Sequence, residues 1–313
     1  MNYGLPYKGS KSKICNFLVS HFPDTTTFVD VFSGGCSVTH KCMLDYKYKH
    51  YIINDLAYGF AELFIDSIRG GRKREFIFCN REEFFLKKET DRFISLSFSF
   101  GNDNSTYCYS KESEPYRLAC HNIIVNNDYS LFSTLCPEIK DGVINRMENI
   151  VDNKRVALGK AILECLKNIS IERTNSLYNQ YLPYINGKKG LHISPCYHLE
   201  KQERIFELYN PSLLEGITYD IKHDSFEDLE IPDGSIVYCD PPYNDTTNSY
   251  GNSVIIKRFY DWCVEKSKRN FVFISEYCIE DDRFVCINSK NKRVNSSAIT
   301  TTVKEEKLYT VRQ

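Results

Sequence analysis

The sequence predicts an α/β fold in which a parallel sheet is interrupted by a long, mostly helical insertion. Two strand–helix units follow one another near the start of the chain, at residues 27–46 and 51–68. Consecutive units of this kind build a parallel sheet with helices on its faces. Helical periodicity then dominates over residues 71–210, after which apolar strands return. We therefore expect one sheet domain, formed by 1–70 and 211–313, and one inserted domain.

The first unit contains a glycine-rich turn between its strand and its helix. Thr27–Phe32 is a short apolar run typical of a strand, and a helix is expected from Ser37 to about Tyr46. The turn Ser33-Gly34-Gly35 would let the backbone approach a ligand at the C-terminal edge of the sheet. An ordinary strand-to-helix turn explains the same residues.

The second unit ends its strand next to a carboxylate. Tyr51–Ile53 is the expected strand, Asp55 follows it, and Ala57–Ile68 has helical spacing. A carboxylate at this place commonly binds the hydroxyls of a ribose. Asn54-Asp55 is explained equally well as the N-cap of the following helix.

The inserted segment begins at a basic hinge, residues 69–74, and is interrupted by a polar, aromatic stretch, residues 97–107. Helices are expected in it at Glu82–Glu89, Pro115–Ile124, Arg146–Ile169 and His198–Tyr209. Beyond it, strands are expected at Gly216–Asp220, Ser235–Cys239 and Phe271–Ser275, a helix at Val254–Lys266, and a closing antiparallel pair of short strands within Asp282–Val311.

Composition narrows the function classes. The chain of 313 residues has a net charge of −1, so any binding to a polyanion must come from local patches. Its 13 cysteines form no C-x-x-C pair, which fits a reducing, cytoplasmic setting. No apolar stretch approaches the roughly 18 residues of a membrane span. We expect no contact with a membrane.

The most informative motif is Asp240-Pro241-Pro242-Tyr243, which follows the apolar run Ser235–Cys239 directly. A carboxylate and a backbone carbonyl can each accept one hydrogen bond from an exocyclic amino group, and an aromatic ring can stack on the base that carries it. The motif therefore suits methyl transfer to an amino nitrogen. The alternative is a rigid turn with a surface tyrosine.

Two further segments have a functional and a structural interpretation. Pro6–Lys11 places small residues between lysines, which could bind a carboxylate or form a solvated tail. Asp224 and Phe226 pair a carboxylate with a ring, as an adenine pocket would. For Asp224 alone, a helix N-cap is the stronger interpretation.

Taken in order, these segments resemble the Dam-like, D12-class family of DNA adenine-N6 methyltransferases. The resemblance covers about 1–70 and 215–280, and it is weaker between them. Residues 97–102 and 273–277 resemble a phage and mobile-element branch of that family. The implied fold is a Rossmann-like, S-adenosylmethionine-dependent methyltransferase sheet with an inserted DNA-recognition domain.

The resemblance also implies roles for matching residues. S-adenosyl-L-methionine would be the cofactor, and Lys11 would lie near its carboxylate. The remaining cofactor contacts would be Tyr7 and Gly9, Phe32 and Gly34 as the floor, Asp55 at the ribose, Asp224 and Phe226 at the adenine, and Asp240. Asp240, Pro241 and Tyr243 would hold a target adenine flipped out of the duplex. Neither a metal nor a covalent nucleophile is needed.

Double-stranded DNA is the implied partner, read by the insertion through basic patches at 69–74 or 188–189, or through 97–107 as a hairpin entering a groove. For these segments a solvated linker, or a core strand with an exposed loop, is the alternative. A cognate restriction endonuclease is a further possible partner, and the chain would act as a monomer or weak dimer.

Three other functions stay open from the sequence. A protein glutamine methyltransferase would normally have Asn in place of Asp240. A cytosine-N4 methyltransferase usually has Ser there and a different motif order. A non-catalytic DNA-binding relative would have lost Asp240 or Tyr243, and both are present.

Overall fold

A computed structural model describes residues 2–71, 74–167, 179, 195–241, 252–295 and 301–312. The chain forms two compact units. Unit 1 comprises Met1–Lys73 with Arg204–Gln313, and unit 2 comprises Arg74–Glu203.

Unit 1 is built on a seven-stranded sheet of order β3-β2-β1-β4-β5-β7-β6. The strands are β1 (Thr27–Asp30), β2 (His50–Asn54), β3 (Thr218–Lys222), β4 (Ile236–Cys239), β5 (Phe271–Glu276), β6 (Phe284–Asn295) and β7 (Thr301–Val311). The first five in this order are parallel to one another, and β7 is antiparallel to both β5 and β6. The predicted α/β class is confirmed. The closing pair is longer than the short strands expected from the sequence.

The central strands are buried on both faces. Every residue of β1 and β4 is buried, as expected for parallel strands covered by helices on each side. Val29 and Val237 pack on one side with Phe259 of a late helix. On the other side, Phe28 and Tyr238 contact the ring of Phe22. The edge of this sheet is therefore the accessible place for chemistry.

The helices of unit 1 are α1 (Cys15–Val19), α2 (Ser37–Leu44), α3 (Phe60–Arg69) and α11 (Asn252–Ser267). Helix α3 begins three residues later than predicted. Gly59, with φ of 94°, precedes it, and the Glu62 carboxylate accepts the Gly59 N–H at 3.0 Å, which closes the first turn. The helix ends at Gly70, whose φ of 77° is the left-handed conformation that terminates helices.

Unit 2 is mainly helical. Its helices are α4 (Arg81–Lys87), α5 (Arg92–Phe98), α6 (Glu114–Asn126), α7 (Ser130–Leu135), α8 (Lys140–Met147), α9 (Lys154–Lys167) and the first part of α10 (Tyr197–Phe206). The single helix predicted at Arg146–Ile169 is wrong. Asn153 takes a left-handed φ of 53° between α8 and α9, and this conformation interrupts the helix.

The polar stretch after α5 forms a tight, hydrogen-bonded turn, here called the 99–107 turn. Ser99 and Tyr107 form an antiparallel bridge, and the Asp103 carboxylate accepts the N–H groups of Ser105 and Thr106 at 2.9 Å each. Phe100 at its start is 64% exposed. The local structure is hairpin-like, and entry into a groove stays a prediction. Among all the helices that the structure describes, none is long and apolar enough to cross a membrane.

Candidate active site

The candidate site lies where the strand order of the sheet reverses. From β1 the chain adds β2 and β3 on one side, and it then returns to place β4 and β5 on the other. In open α/β sheets, ligands bind outside the carboxyl ends of the two strands at such a switch point. β1 ends at Asp30, and Asp240 follows β4 directly. Two carboxylates therefore lie at the switch point.

Asp240 is held by a buried lysine from the N-terminal segment. The Lys11 ammonium lies 2.5 Å from Asp240 Oδ1 and 3.4 Å from Glu306 Oε1. Its side chain is 2% exposed, whereas that of Asp240 is 19% exposed. The backbone N–H of Lys11 donates to Ser37 Oγ at the start of α2, which fixes the segment to the sheet edge. Lys11 thus holds Asp240 in place, and part of the Asp240 side chain remains exposed.

The glycine-rich turn after β1 passes closely under the same N-terminal segment. A Cβ atom on Gly35 would lie 2.5 Å from the Cβ of Tyr7, and one on Gly34 would lie 3.0 Å from the Tyr7 ring. Leu5 N–H donates to Gly35 O at 2.8 Å. Gly34 has a left-handed φ of 47°. In this structure, the close approach that needs glycine is made by Tyr7.

Asp55 fixes this turn and does not cap a helix. Its Oδ2 accepts the Gly34 N–H at 2.7 Å, and its Oδ1 accepts the Ala57 N–H at 2.8 Å. The N-cap of α3 is Gly59, so the N-cap interpretation of Asp55 is wrong. The carboxylate instead links the ends of β1 and β2.

Asp224 and Phe226 are brought to the same edge. The side chain of buried Asn54 donates to the carbonyls of Val31 and Asp224 at 3.0 Å each, and it accepts the Asp224 N–H at 2.9 Å. No helix begins at Asp224, so its N-cap interpretation is also wrong. The Phe226 ring lies 6.3 Å from that of Phe32, centroid to centroid. A half-buried aromatic surface results.

The pKa of Asp30, which lies at the switch point, differs strongly from its ordinary value. Burial, together with the charges of Asp240 and Asp55, raises the pKa of Asp30 to about 7, although a 2.6 Å hydrogen bond from Thr39 Oγ1 opposes the change. Its Oδ1 has no hydrogen-bond partner within the part of the chain that the structure describes. A buried acceptor of this kind is expensive to leave unmatched.

Glu276, the last residue of β5, is a second carboxylate whose pKa is raised. Burial raises the pKa of Glu276 to about 7, and the charges of Asp240 and Glu306 act in the same direction. For Lys11, burial alone would lower the pKa, but Asp240 and Glu306 more than offset it, so the pKa is raised. The ammonium is therefore the positive centre of an otherwise acidic cluster.

The structure gives less information about three predicted site residues, Gly9, Pro241 and Tyr243. Gly9 is exposed in a turn, and a Cβ there would meet nothing within 4 Å. Pro241 is half-buried beside Asp240, while Tyr243 lies outside the described residues. Their roles stay predictions.

Sequence reasoning missed Asp30, Glu276 and Glu306. The first two could have been found, since each is an ionisable residue that ends an apolar run, in Thr27–Asp30 and Phe271–Glu276. Glu306 lies in a charged strand that looks solvent-facing, and only its alternation with Leu308 indicates burial.

Comparison with known proteins agrees with this geometry. The model of the family described as D12 class N6 adenine-specific DNA methyltransferase matches residues 7–311, which include both units. The chain is also 24% identical over 267 residues to the Type II methyltransferase M2.HphI of Haemophilus parahaemolyticus, an alignment that covers 78% of this chain and 67% of that protein. The match sets aside the glutamine and cytosine alternatives, and the presence of Asp240 and Tyr243 argues against a non-catalytic relative. The chain belongs to the D12 class of N6 adenine-specific DNA methyltransferases.

Proposed function

We propose that the chain methylates N6 of an adenine turned out of double-stranded DNA, and that Asp240, Pro241 and Tyr243 hold this base. The observation that carries the proposal is the position of Asp240. It follows β4 at the switch point, its side chain is 19% exposed, and the buried Lys11 lies 2.5 Å from it. A carboxylate so placed is fixed yet reachable, and an adenine must leave the base stack to meet it.

The chain's own groups suit the reaction. The N6 lone pair of adenine is delocalised into the ring, so N6 is a poor nucleophile. The Asp240 carboxylate and the Pro241 carbonyl can each accept one N6 hydrogen, which favours a pyramidal nitrogen with an available lone pair. Tyr243 would stack on the base. The acceleration then comes mainly from position.

S-adenosylmethionine is the proposed cofactor, and it supplies a methyl group activated on a positively charged sulfur. The chemistry of the site fits it. Asp30, Asp55 and Asp240 follow or end neighbouring strands at one sheet edge, and Asp30 presents an acceptor without a partner among the described residues. Carboxylates of this density favour a ligand with a sulfonium and an ammonium group.

The individual cofactor contacts that we propose are made by residues at this edge of the sheet. We assign the ribose to Asp55 and the adenine to Asp224 and Phe226. Phe32 and Gly34 form the floor. Tyr7, Gly9 and Lys11 border the methionine end, and Lys11 also serves Asp240.

Residues 71–210 are the proposed target-recognition domain. The 99–107 turn is suited to a groove because Asp103 stiffens it and Phe100 is 64% exposed. The Type II relative favours a cognate restriction endonuclease as a partner. We expect a monomer or weak dimer.

The test is methyl transfer from labelled S-adenosylmethionine to unmethylated duplex DNA, followed by nucleoside analysis. Wild type should yield N6-methyladenine. Asp240→Ala should yield none while still binding the cofactor, and Asp282→Ala, which removes an exposed carboxylate, should behave as wild type. Activity in Asp240→Ala would refute the role of Asp240, and N4-methylcytosine as the product would refute the assigned base.

A further inference from the structure

A buried carboxylate lies behind the Lys11–Asp240 pair. Glu306 of β7 is 0% exposed, and its Oε1 lies 3.4 Å from Lys11 Nζ. The same carboxylate accepts the Ser275 hydroxyl of β5 at 2.8 Å. A continuous chain of polar contacts therefore runs from Ser275 through Glu306 and Lys11 to Asp240.

The strand register explains why Glu306 reaches this point. Glu276, the last residue of β5, pairs with Lys307 of β7. Glu306 therefore lies one residue beyond the carboxyl end of β5, while the pairing of Cys239 with Ile274 places Asp240 beside Ser275, whose hydroxyl reaches Glu306. Side chains alternate along a strand, so Glu306 shares its face with Leu308, which is fully buried. The position is set by the fold of the closing pair.

The exposed fraction of the side chain decreases from Asp240 to Lys11 to Glu306. Exposure is 0% for Glu306, 2% for the Lys11 side chain and 19% for that of Asp240. A buried ammonium needs nearby negative charge to stay ionised. If Asp240 were its sole counter-charge, the pair would lose that support whenever Asp240 turned toward a substrate. Glu306 supplies a counter-charge that does not need to move.

We propose that Glu306 is a positioning residue for methyl transfer, acting through Lys11 to hold the Asp240 carboxylate in a fixed orientation. The proposal rests on the role proposed for Asp240. Glu306 itself touches neither the base nor the cofactor. Its contribution is to the geometry of Asp240, and therefore to kcat more than to the binding of either substrate.

Other titratable groups surround this chain of contacts. They are Asp30 of β1, Tyr238 beside Asp240 on β4, Glu276 of β5 and, from the helical side, Cys15, whose thiol donates to Lys11 O. Burial raises the pKa values of Asp30 and Glu276 to about 7, so both lose their protons at lower pH than Lys11, whose pKa is raised. Because Asp240 and Glu306 raise the pKa of Lys11, we expect loss of the Lys11 proton to affect activity only at alkaline pH.

The experiment compares the pH dependence of kcat in Glu306→Gln, Glu306→Asp and wild type, with Glu305→Gln as the matched control. Glu305 is the exposed neighbour on the same strand. In Glu306→Gln, kcat should fall on the order of tenfold to a hundredfold, the range for groups that orient a primary contact. The alkaline limb should move to lower pH, because Lys11 loses one of the carboxylates that raise its pKa. Glu306→Asp should restore part of both, and Glu305→Gln should change neither.

Each outcome is decisive. An unshifted alkaline limb in folded Glu306→Gln would overturn the proposal, as would a change confined to the KM for S-adenosylmethionine. Should Glu306→Gln fail to fold, Ser275→Ala removes the hydroxyl that donates to Glu306 and also interacts with Tyr238, and it should shift the limb in the same direction by less. Failure of the Asp240 assignment is recognised separately, since Asp240→Ala would then keep its activity.

Discussion

Replacing Asp30 by asparagine should change how the stability of unit 1 depends on pH. Burial raises the pKa of Asp30 to about 7 from 3.8. The folded state therefore favours the protonated form. Stability from this group is fully present below about pH 4 and is lost as the pH rises through 7. The difference corresponds to about 4 kcal/mol as an upper limit.

The asparagine side chain of Asp30→Asn has no proton to lose, so the stability of this variant should not fall over that range. Its carbonyl can still accept from Thr39 Oγ1, whereas its amide would face the position of Oδ1, which has no partner among the described residues. That mismatch costs about 1–3 kcal/mol at every pH. The variant should thus be the less stable protein near pH 4.5 and the more stable one near pH 8.5.

Trp262 is the single tryptophan of the chain and lies in unit 1. Urea unfolding followed by its fluorescence reports on this unit, which avoids assuming two-state behaviour for the whole chain. Asp24→Asn, at a side chain that is 94% exposed, is the control and should run parallel to wild type. Parallel curves for Asp30→Asn and wild type between pH 4.5 and 8.5 would refute the reasoning.

Three further variants test the proposed contacts. Asp55→Asn should weaken S-adenosylmethionine binding about tenfold, since it loosens the Gly34 N–H contact as well as the ribose site; unchanged affinity in calorimetry would exclude Asp55 from the site. Phe226→Ala should cost about 1–3 kcal/mol of cofactor affinity by removing a stacking surface, and Phe226→Leu less; equal affinities for the two would contradict stacking. Phe100→Ala should weaken duplex binding severalfold in fluorescence anisotropy, by loss of an exposed ring from the proposed DNA surface. Val151→Ala, at another exposed apolar residue of unit 2, should leave it unchanged.

The sheet was predictable because its strands obey simple rules. Thr27–Asp30 and Ile236–Cys239 are short, mostly apolar runs typical of strands. The alternation of strands and helices implies that these strands pair in parallel. Helix ends were less predictable. The break at Asn153 depends on one left-handed residue inside an otherwise helical pattern, and Asn is tolerated in both conformations.

Site residues that belong to a sequence motif were predictable. Site residues that reach the site only through strand pairing were not. Asp55 and Asp240 stand at the ends of strands, so topology alone brings them to one edge. Glu306 reaches the same place through the register between β5 and β7. A register depends on the whole closing pair, and no local pattern encodes it.

The residues missed from the sequence share one physical property. Asp30, Glu276 and Glu306 are buried carboxylates, and Lys11 is the buried cation among them. Near neutral pH the first two are poised between neutral and charged, so the cluster becomes more negative as the pH rises. This costs stability in the protein alone, yet the same charge attracts a cationic methyl donor. We therefore expect the stabilisation produced by S-adenosylmethionine to grow from pH 6 to 8 in wild type, and to grow less in Asp30→Asn. A site strained in this way before binding is stabilised most by the ligand that relieves it.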